Sequence, residues 1–290
     1  MKFRDDNHQG DFLSSSLMKI QIRSRYLSLI LSVVKAILSS NKDINMLKKL
    51  VKNVLESQGY FIYNIENLPF GCDHKEDIAR VSPRLNVNTI FDVGANVGVM
   101  SLSYRKRFPN AKVYSFEPVN KTFSQLKEAT KNDLDIHCYN MALAAENGSG
   151  IINIGSKSGQ NSLVIRQQGE ITSQEVKLIT IDDFLNQEQK IEQIDILKID
   201  VEGFESDVLK GAEKTLDSGR ILYIYIETTF REEDTHHTQF SQIQEFLRKY
   251  KFNLMGFYDI LPYWAGGNAI PFCNALFKRW EKDSIAIKKS

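Results

Sequence analysis

The stretch Thr89-Ile90-Phe91-Asp92-Val93-Gly94-Ala95-Asn96-Val97-Gly98-Val99 decides the fold of this chain. An apolar run ends in an acid, two glycines bracket a tight turn, and a helical pattern follows. The next apolar run, Val113-Tyr114-Ser115-Phe116, ends in Glu117-Pro118. Strand, glycine turn, helix, strand and acid form half of a nucleotide-binding α/β unit. In open parallel sheets a ligand lies beyond the carboxyl ends of the strands, which is where 92–98 and Glu117 fall.

The spacing selects the ligand. Gly94 and Gly98 form a GxxxG, whereas a dinucleotide fingerprint needs glycine where Asn96 and Val99 stand. Those glycines serve to seat a pyrophosphate on a helix N-terminus. S-adenosylmethionine (SAM) has no phosphate and does not need them. Asp92 suits an ammonium or a water-mediated contact to the methionyl end. Glu117 suits a two-oxygen grip on ribose hydroxyls. A third strand ends at Asn140-Met141-Ala142, where Asn140 suits a base edge and Met141 or Ala142 its face, although a plain turn fits these residues too.

From residue 87 onward strands and helices alternate. Strands are expected at 87–92, 112–117, 135–140, 194–200, 221–227, 252–258 and 273–279, and helices at 98–107, 120–131, 204–217 and 239–250. This order is that of a mostly parallel sheet with helices on both faces. Residues 150–180 carry short β-like pieces and turn glycines, as a β insertion near the middle of the sheet would. Residues 1–80 read as an N-terminal helical extension, 81–280 as the main domain and 281–290 as a tail. Within the extension, 1–16 are polar and serine-rich and read as disordered. The span 43–59 is an amphipathic helix with Ile44, Leu47, Leu50, Val51, Val54 and Leu55 on one face.

The 290 residues and formal charge of +1 exclude a strong field for nucleic acid, and none is expected as a partner. Cys72, Cys138 and Cys273 form no CxxC, which speaks against zinc knuckles and disulfides and for a reducing, cytoplasmic setting. No secretory signal stands out. Tyr26–Leu38 is apolar but shorter than the roughly 20 residues of a spanning helix. With the basic residues around it, 17–38 suits peripheral contact with the inner face of a membrane, or a helix packed on protein.

A second constellation lies at Ile194-Asp-Ile-Leu-Lys-Ile-Asp200-Val-Glu202-Gly-Phe-Glu205. Asp200 ends a buried strand and should share a crevice with Asp92. Glu202 and Glu205 suit the start of a helix. Their proximity invites a magnesium reading, but an octahedral ligand set is not evident and no metal is expected.

FDVGANVG, the strand tip SFEP, Thr180-Ile-Asp-Asp183 and LKIDVEGFESDVLKGA together resemble the FkbM family of SAM-dependent methyltransferases. The resemblance spans about Gly71 to Arg279. It implies a seven-stranded, Rossmann-like class I methyltransferase fold with the last strand antiparallel. It also implies methyl transfer to a hydroxyl oxygen, often on a sugar or a polyketide. By position, Asp92, Gly94, Asn96, Gly98, Glu117 and Asn140 would bind the cofactor, and Asp200 would lie by the methyl group.

Methyl transfer to an alcohol calls for a base. Asp200 is the first candidate and Glu227, at the end of another apolar run, the second. His237 and its neighbour His236, in a polar loop, follow as candidates, of which at most one would serve. Asn67-Leu-Pro-Phe70 mimics an amine-methyltransferase signature but sits upstream of the glycine turn, where it reads as a turn. The expected activity is O-methylation of a small-molecule or glycan acceptor. A Rossmann oxidoreductase and a non-catalytic SAM-binding scaffold are the competing classes.

Overall fold

The computed structural model describes residues 44–60, 63–154, 172–234, 236–260 and 272–280. The expectations for 1–16, 17–38 and the tail 281–290 lie outside them, as does part of the span 150–180. Two compact units divide between Leu68 and Pro69. The first contains helix α1 (Ile44–Ser57), as the amphipathic pattern indicated. Among the described residues no helix is long and apolar enough to cross a membrane.

The second unit opens with α2 (His74–Val81), whose N-cap Asp73 accepts the Lys75 amide. Its sheet strands are β1 (Thr89–Val93), β2 (Lys112–Phe116), β3 (Ile136–Tyr139), β7 (Ile194–Ile199), β8 (Ile221–Thr228), β9 (Phe252–Tyr258) and β10 (Cys273–Arg279). They lie in the order β3-β2-β1-β7-β8-β10-β9. β10 runs antiparallel between β8 and β9, and the pairings among the first five strands are parallel. That order, with the reversal at β1/β7, is the class I methyltransferase topology that the sequence led us to expect. The reversal leaves a crevice at the carboxyl ends of these two strands.

Side chains alternate across the sheet. In β8, Ile224 and Ile226 join the core beneath α5 (Ile181–Gln187), α6 (Glu205–Lys210), α7 (Glu213–Asp217) and α8 (Phe240–Lys249). Tyr223 and Tyr225 join the opposite core, beneath α2 and α3 (Val99–Arg107). α4 (Asn120–Thr130) connects β2 to β3. The expected helix over 204–217 breaks into α6 and α7 at Gly211. A Cβ there would lie 2.0 Å from the Ala144 carbonyl oxygen. The β insertion does not enter the main sheet. β4 (Ala142–Leu143), β5 (Gly148–Ile154) and β6 (Thr172–Ile179) form their own three-stranded sheet.

Candidate active site

Register builds a polar row across the centre of the sheet. Asp92 in β1 stands opposite Ser115 in β2 and Lys198 in β7, and Lys198 stands opposite Tyr225 in β8. Asp92 is fully buried; one oxygen accepts the Ser101 hydroxyl at 2.5 Å and the other pairs with Lys198 Nζ at 3.1 Å. Lys198 also reaches Asp200 at 3.4 Å. Burial by itself would pull the lysine pKa down, but Asp92 and Asp200 outweigh it and hold the ammonium above its ordinary value.

Above this row the glycine turn closes. Gly94 has φ of 75°, and a Cβ on it would lie 1.8 Å from the Asp200 carbonyl oxygen, so only glycine lets the turn press onto the end of β7. The amides of Gly94 and Ala95 donate to the Phe116 carbonyl, that of Asn96 to Glu117 Oε2 and that of Gly98 to the Ala95 carbonyl. Glu117 Oε1 accepts the Val119 amide. Burial raises the Glu117 pKa, partly offset by these two amides.

An open cleft lies against the turn. Of the expected cofactor residues, Gly94, Asn96, Glu117, Ala142 and Asp200 line it, and Met141, Leu143 and Ile152 add an apolar wall. Three others do not. Asp92 lies behind the turn, engaged with Lys198 and Ser101. Gly98 is a left-handed N-cap at φ 88°, set against Leu126 and Thr130. Asn140 Nδ2 donates to the Glu117 and Pro118 carbonyls at 3.0 Å each, so its donors fasten the strand tip instead of reading a base edge.

Beyond the cleft the register continues. With Lys198 opposite Tyr225, Asp200 and Glu227 follow two residues later at the ends of neighbouring strands, and the charge of Asp200 pushes the Glu227 pKa up. Glu227 Oε2 meets His237 Nε2 at 3.3 Å, and His237 Nδ1 meets Asp234 Oδ2 at 2.8 Å. The imidazole stacks on Phe272. Burial raises Glu227; His237 pulls it back and Asp200 pushes it up, leaving it at about 7. Glu202 stands at about 8 through burial and the charges of Glu227 and Asp200. Burial lowers the His237 pKa, but Glu227 and Asp234 lift it to about 9. At neutral pH the imidazole is therefore a cation with both nitrogens engaged, unsuited to the role of base that the sequence had suggested. His236 is exposed on the same loop.

Glu205 is not a solvated first-turn acid. It is fully buried, and its carboxylate accepts the amides of Val201 and Gly203 and both the amide and hydroxyl of Thr238. It fastens the loop after β7 to the loop that carries His237. Sequence reading had also given Lys198 and Asp234 no role. A lysine two residues before Asp200, inside a strand of isoleucine and leucine, was the available signal for the first. Asp234 gave none, because its partnership with His237 depends on how the loop folds.

The Methyltransferase FkbM domain family matches residues 92–254. Methyltransferase sdnD of Sordaria araneosa is 29% identical over 173 residues, covering 49% of this chain and 66% of the relative. The 2-O-methyltransferase NoeI of Sinorhizobium fredii (strain NBRC 101917 / NGR234) is 27% identical over 153 residues, covering 46% and 61%. The chain thus spans less than two-thirds of the length of these curated relatives. A solved methyltransferase FkbM from Methylobacillus flagellatus KT overlays with a TM-score of 0.46 and 14% identity, covering 68% of this chain and 45% of that one. With its family domain matched over more than half its length, the chain belongs to the FkbM family of SAM-dependent methyltransferases.

Proposed function

We propose that the protein transfers the methyl group of SAM to a hydroxyl oxygen of a sugar in a glycan or glycolipid. The observation that carries this reading is the abutment of two environments. A cleft built on Gly94, Asn96 and Glu117 is lined at one end by Asp200, and strand register sets Asp200 beside Glu227.

The cleft suits SAM better than a dinucleotide. The amides of Gly94, Ala95, Asn96 and Gly98 are already engaged, which leaves them no hydrogen to offer a pyrophosphate. Each Glu117 oxygen accepts one amide and keeps a lone pair for a ribose hydroxyl. Asn96 Oδ1 is buried in the cleft wall without a protein partner, which suits a donor on the ligand. Met141, Ala142 and Leu143 offer an apolar surface to a flat base.

When bound, SAM supplies an electrophilic methyl group on a sulfonium. The protein's part is to hold a hydroxyl oxygen about 3–3.5 Å from that carbon, on the side away from sulfur. As the carbon–oxygen bond forms and the carbon–sulfur bond breaks, the hydroxyl proton passes to the carboxylate pair at the end of β7 and β8. Asp200 lines the cleft and is its nearer member. The name of NoeI, a 2-O-methyltransferase, favours oxygen as the accepting atom.

Two measurements test the reading. Calorimetry should show SAM binding and no NAD binding. Labelled methyl from SAM should enter a hydroxyl-bearing product in a glycan and glycolipid extract, and the Asp200→Asn protein should leave it unlabelled. Tight NAD binding, or labelling confined to amines, would overturn it.

A further inference from the structure

The cluster beyond the cleft contains more than a base. Glu227 ends β8 with its side chain only 12% exposed, and His237 is 11% exposed. A buried carboxylate beside a second carboxylate would ordinarily take up a proton and lose its value as a base. Here a cation stands on its far side. The His237 ring is held at both nitrogens, by Glu227 at 3.3 Å and Asp234 at 2.8 Å, and Phe272 lies across its face at 4.8 Å. Thr238, the next residue, is fixed through its amide and hydroxyl by buried Glu205. The imidazole is therefore set in place from three sides.

We propose that Asp234 and His237 are positioning residues that orient the Glu227 carboxylate beside Asp200 and set a positive charge behind it, so that the Asp200–Glu227 pair takes the acceptor's proton as a unit. The proposal rests on the methyltransferase reading above and names how its proton is handled. His237 does not accept that proton. It carries two of its own, one directed at each carboxylate, and its charge offsets the repulsion between Glu227 and Asp200. Asp234 in turn keeps the ring charged and fixes its orientation, as a carboxylate behind an imidazole does elsewhere.

The other charged and titratable groups facing the pair do not replace this cation. Lys198, from β7, is engaged by Asp92 and Asp200 and by the carbonyls of Val93 and Gly94. Glu202, pushed up to about 8, is mostly protonated at neutral pH and supplies no positive charge. Glu205 has its oxygens engaged by four donors. Cys273, on β10, is buried, with its thiol pushed up to about 11 by burial and by Glu227 itself.

The test needs no acceptor. In the full chain, ¹⁵N resonances of the histidine rings and ¹³C resonances of the carboxyl groups are followed against pH. His237 should carry protons on both nitrogens at pH 7. His237→Gln should raise the Glu227 midpoint by at least one pH unit, a tenfold gain in proton affinity. Asp234→Asn, which keeps the shape and removes the charge, should lower the His237 midpoint by a similar step. A singly protonated His237 in the unmodified protein at pH 7, or a Glu227 midpoint unmoved in His237→Gln, overturns the proposal; the first of these readings needs no variant to fold. Calorimetry on the same samples separates the two claims. Loss of the couplings in a protein that binds SAM sinks the positioning role alone, whereas a protein that fails to bind SAM sinks the methyltransferase reading.

Discussion

Lys198 Nζ donates to the carbonyl oxygen of Gly94 at 2.9 Å, from beneath the turn that lines the cleft. One buried ammonium thus fastens the glycine turn, neutralises Asp92 and steadies Asp200. Lys198→Met should cost about 3–5 kcal/mol, because Asp92 would be left charged, buried and unpaired. Urea unfolding measures it. Adding Asp92→Asn should recover part of the loss, and a fully additive double variant would show that the pair is not coupled.

Gly94 and Gly98 should respond differently to alanine. At Gly94 the new methyl group meets backbone, the Asp200 carbonyl oxygen at 1.8 Å, which cannot move without opening the cleft. At Gly98 it meets the end of the Leu126 side chain at 2.8 Å, which can turn aside. Gly98→Ala should therefore cost about 1–2 kcal/mol of left-handed backbone strain and still bind SAM. Gly94→Ala should lose SAM binding. Calorimetry on both proteins decides, and equal affinities would contradict the packing described for Gly94.

Asp200→Asn and Glu117→Ala should separate chemistry from binding. The first should lower kcat by about 10²–10⁴-fold, the usual contribution of a positioned base, with SAM affinity little changed. The second should weaken SAM by about 10–100-fold through lost hydrogen bonds to a charged group. A near-normal kcat for Asp200→Asn would remove Asp200 from the proton-accepting pair.

Glu205→Gln should destabilise by about 1–3 kcal/mol, because the new amide group confronts donors where an oxygen had accepted them. Thermal unfolding reads the loss. Stability equal to that of the unmodified protein would mean that Thr238 finds another partner.

The pH dependence of stability follows from His237. Its folded pKa of about 9 lies above the ordinary 6.5, so its contribution is complete below about pH 6.5 and disappears as pH rises through 9. Glu227, raised to about 7, works in the same direction, because ionising it costs more in the folded state. Denaturant unfolding from pH 6 to about pH 9.5 should show falling stability, with a shallower fall in His237→Gln. Parallel curves for the two proteins would mean that the ion pair contributes nothing.

Local pattern made most of the main sheet legible. Strands such as Ile194–Ile199 are short apolar runs bounded by turn residues, and the expected and observed spans differ by a residue or so at most ends. What escaped was set by contacts distant in sequence. The helix over 204–217 breaks because Gly211 lies under the Ala144 carbonyl, and nothing within 204–217 announces that approach. α2 is short and polar, and its sequence alone does not tie it to the sheet. It belongs to the sheet unit because His74 stacks on Tyr225 and Ile78 is fully buried.

The sequence by itself determined the opening turn. Glycines at 94 and 98 with Asn96 between them exclude a pyrophosphate cradle, and an acid at 117 places a polar grip at the next strand tip. Both are properties of nearest neighbours and of backbone conformation, which local sequence controls. Only the tertiary structure decided which of the acids line the cleft and which lie behind it. Asp92, first in the motif, proves to be buried behind the turn, because strand register sets it opposite Lys198. Asp200 and Glu227, 27 residues apart in sequence, meet because parallel pairing brings β7 and β8 side by side. Register is a long-range property, and it turns a scatter of carboxylates into one site.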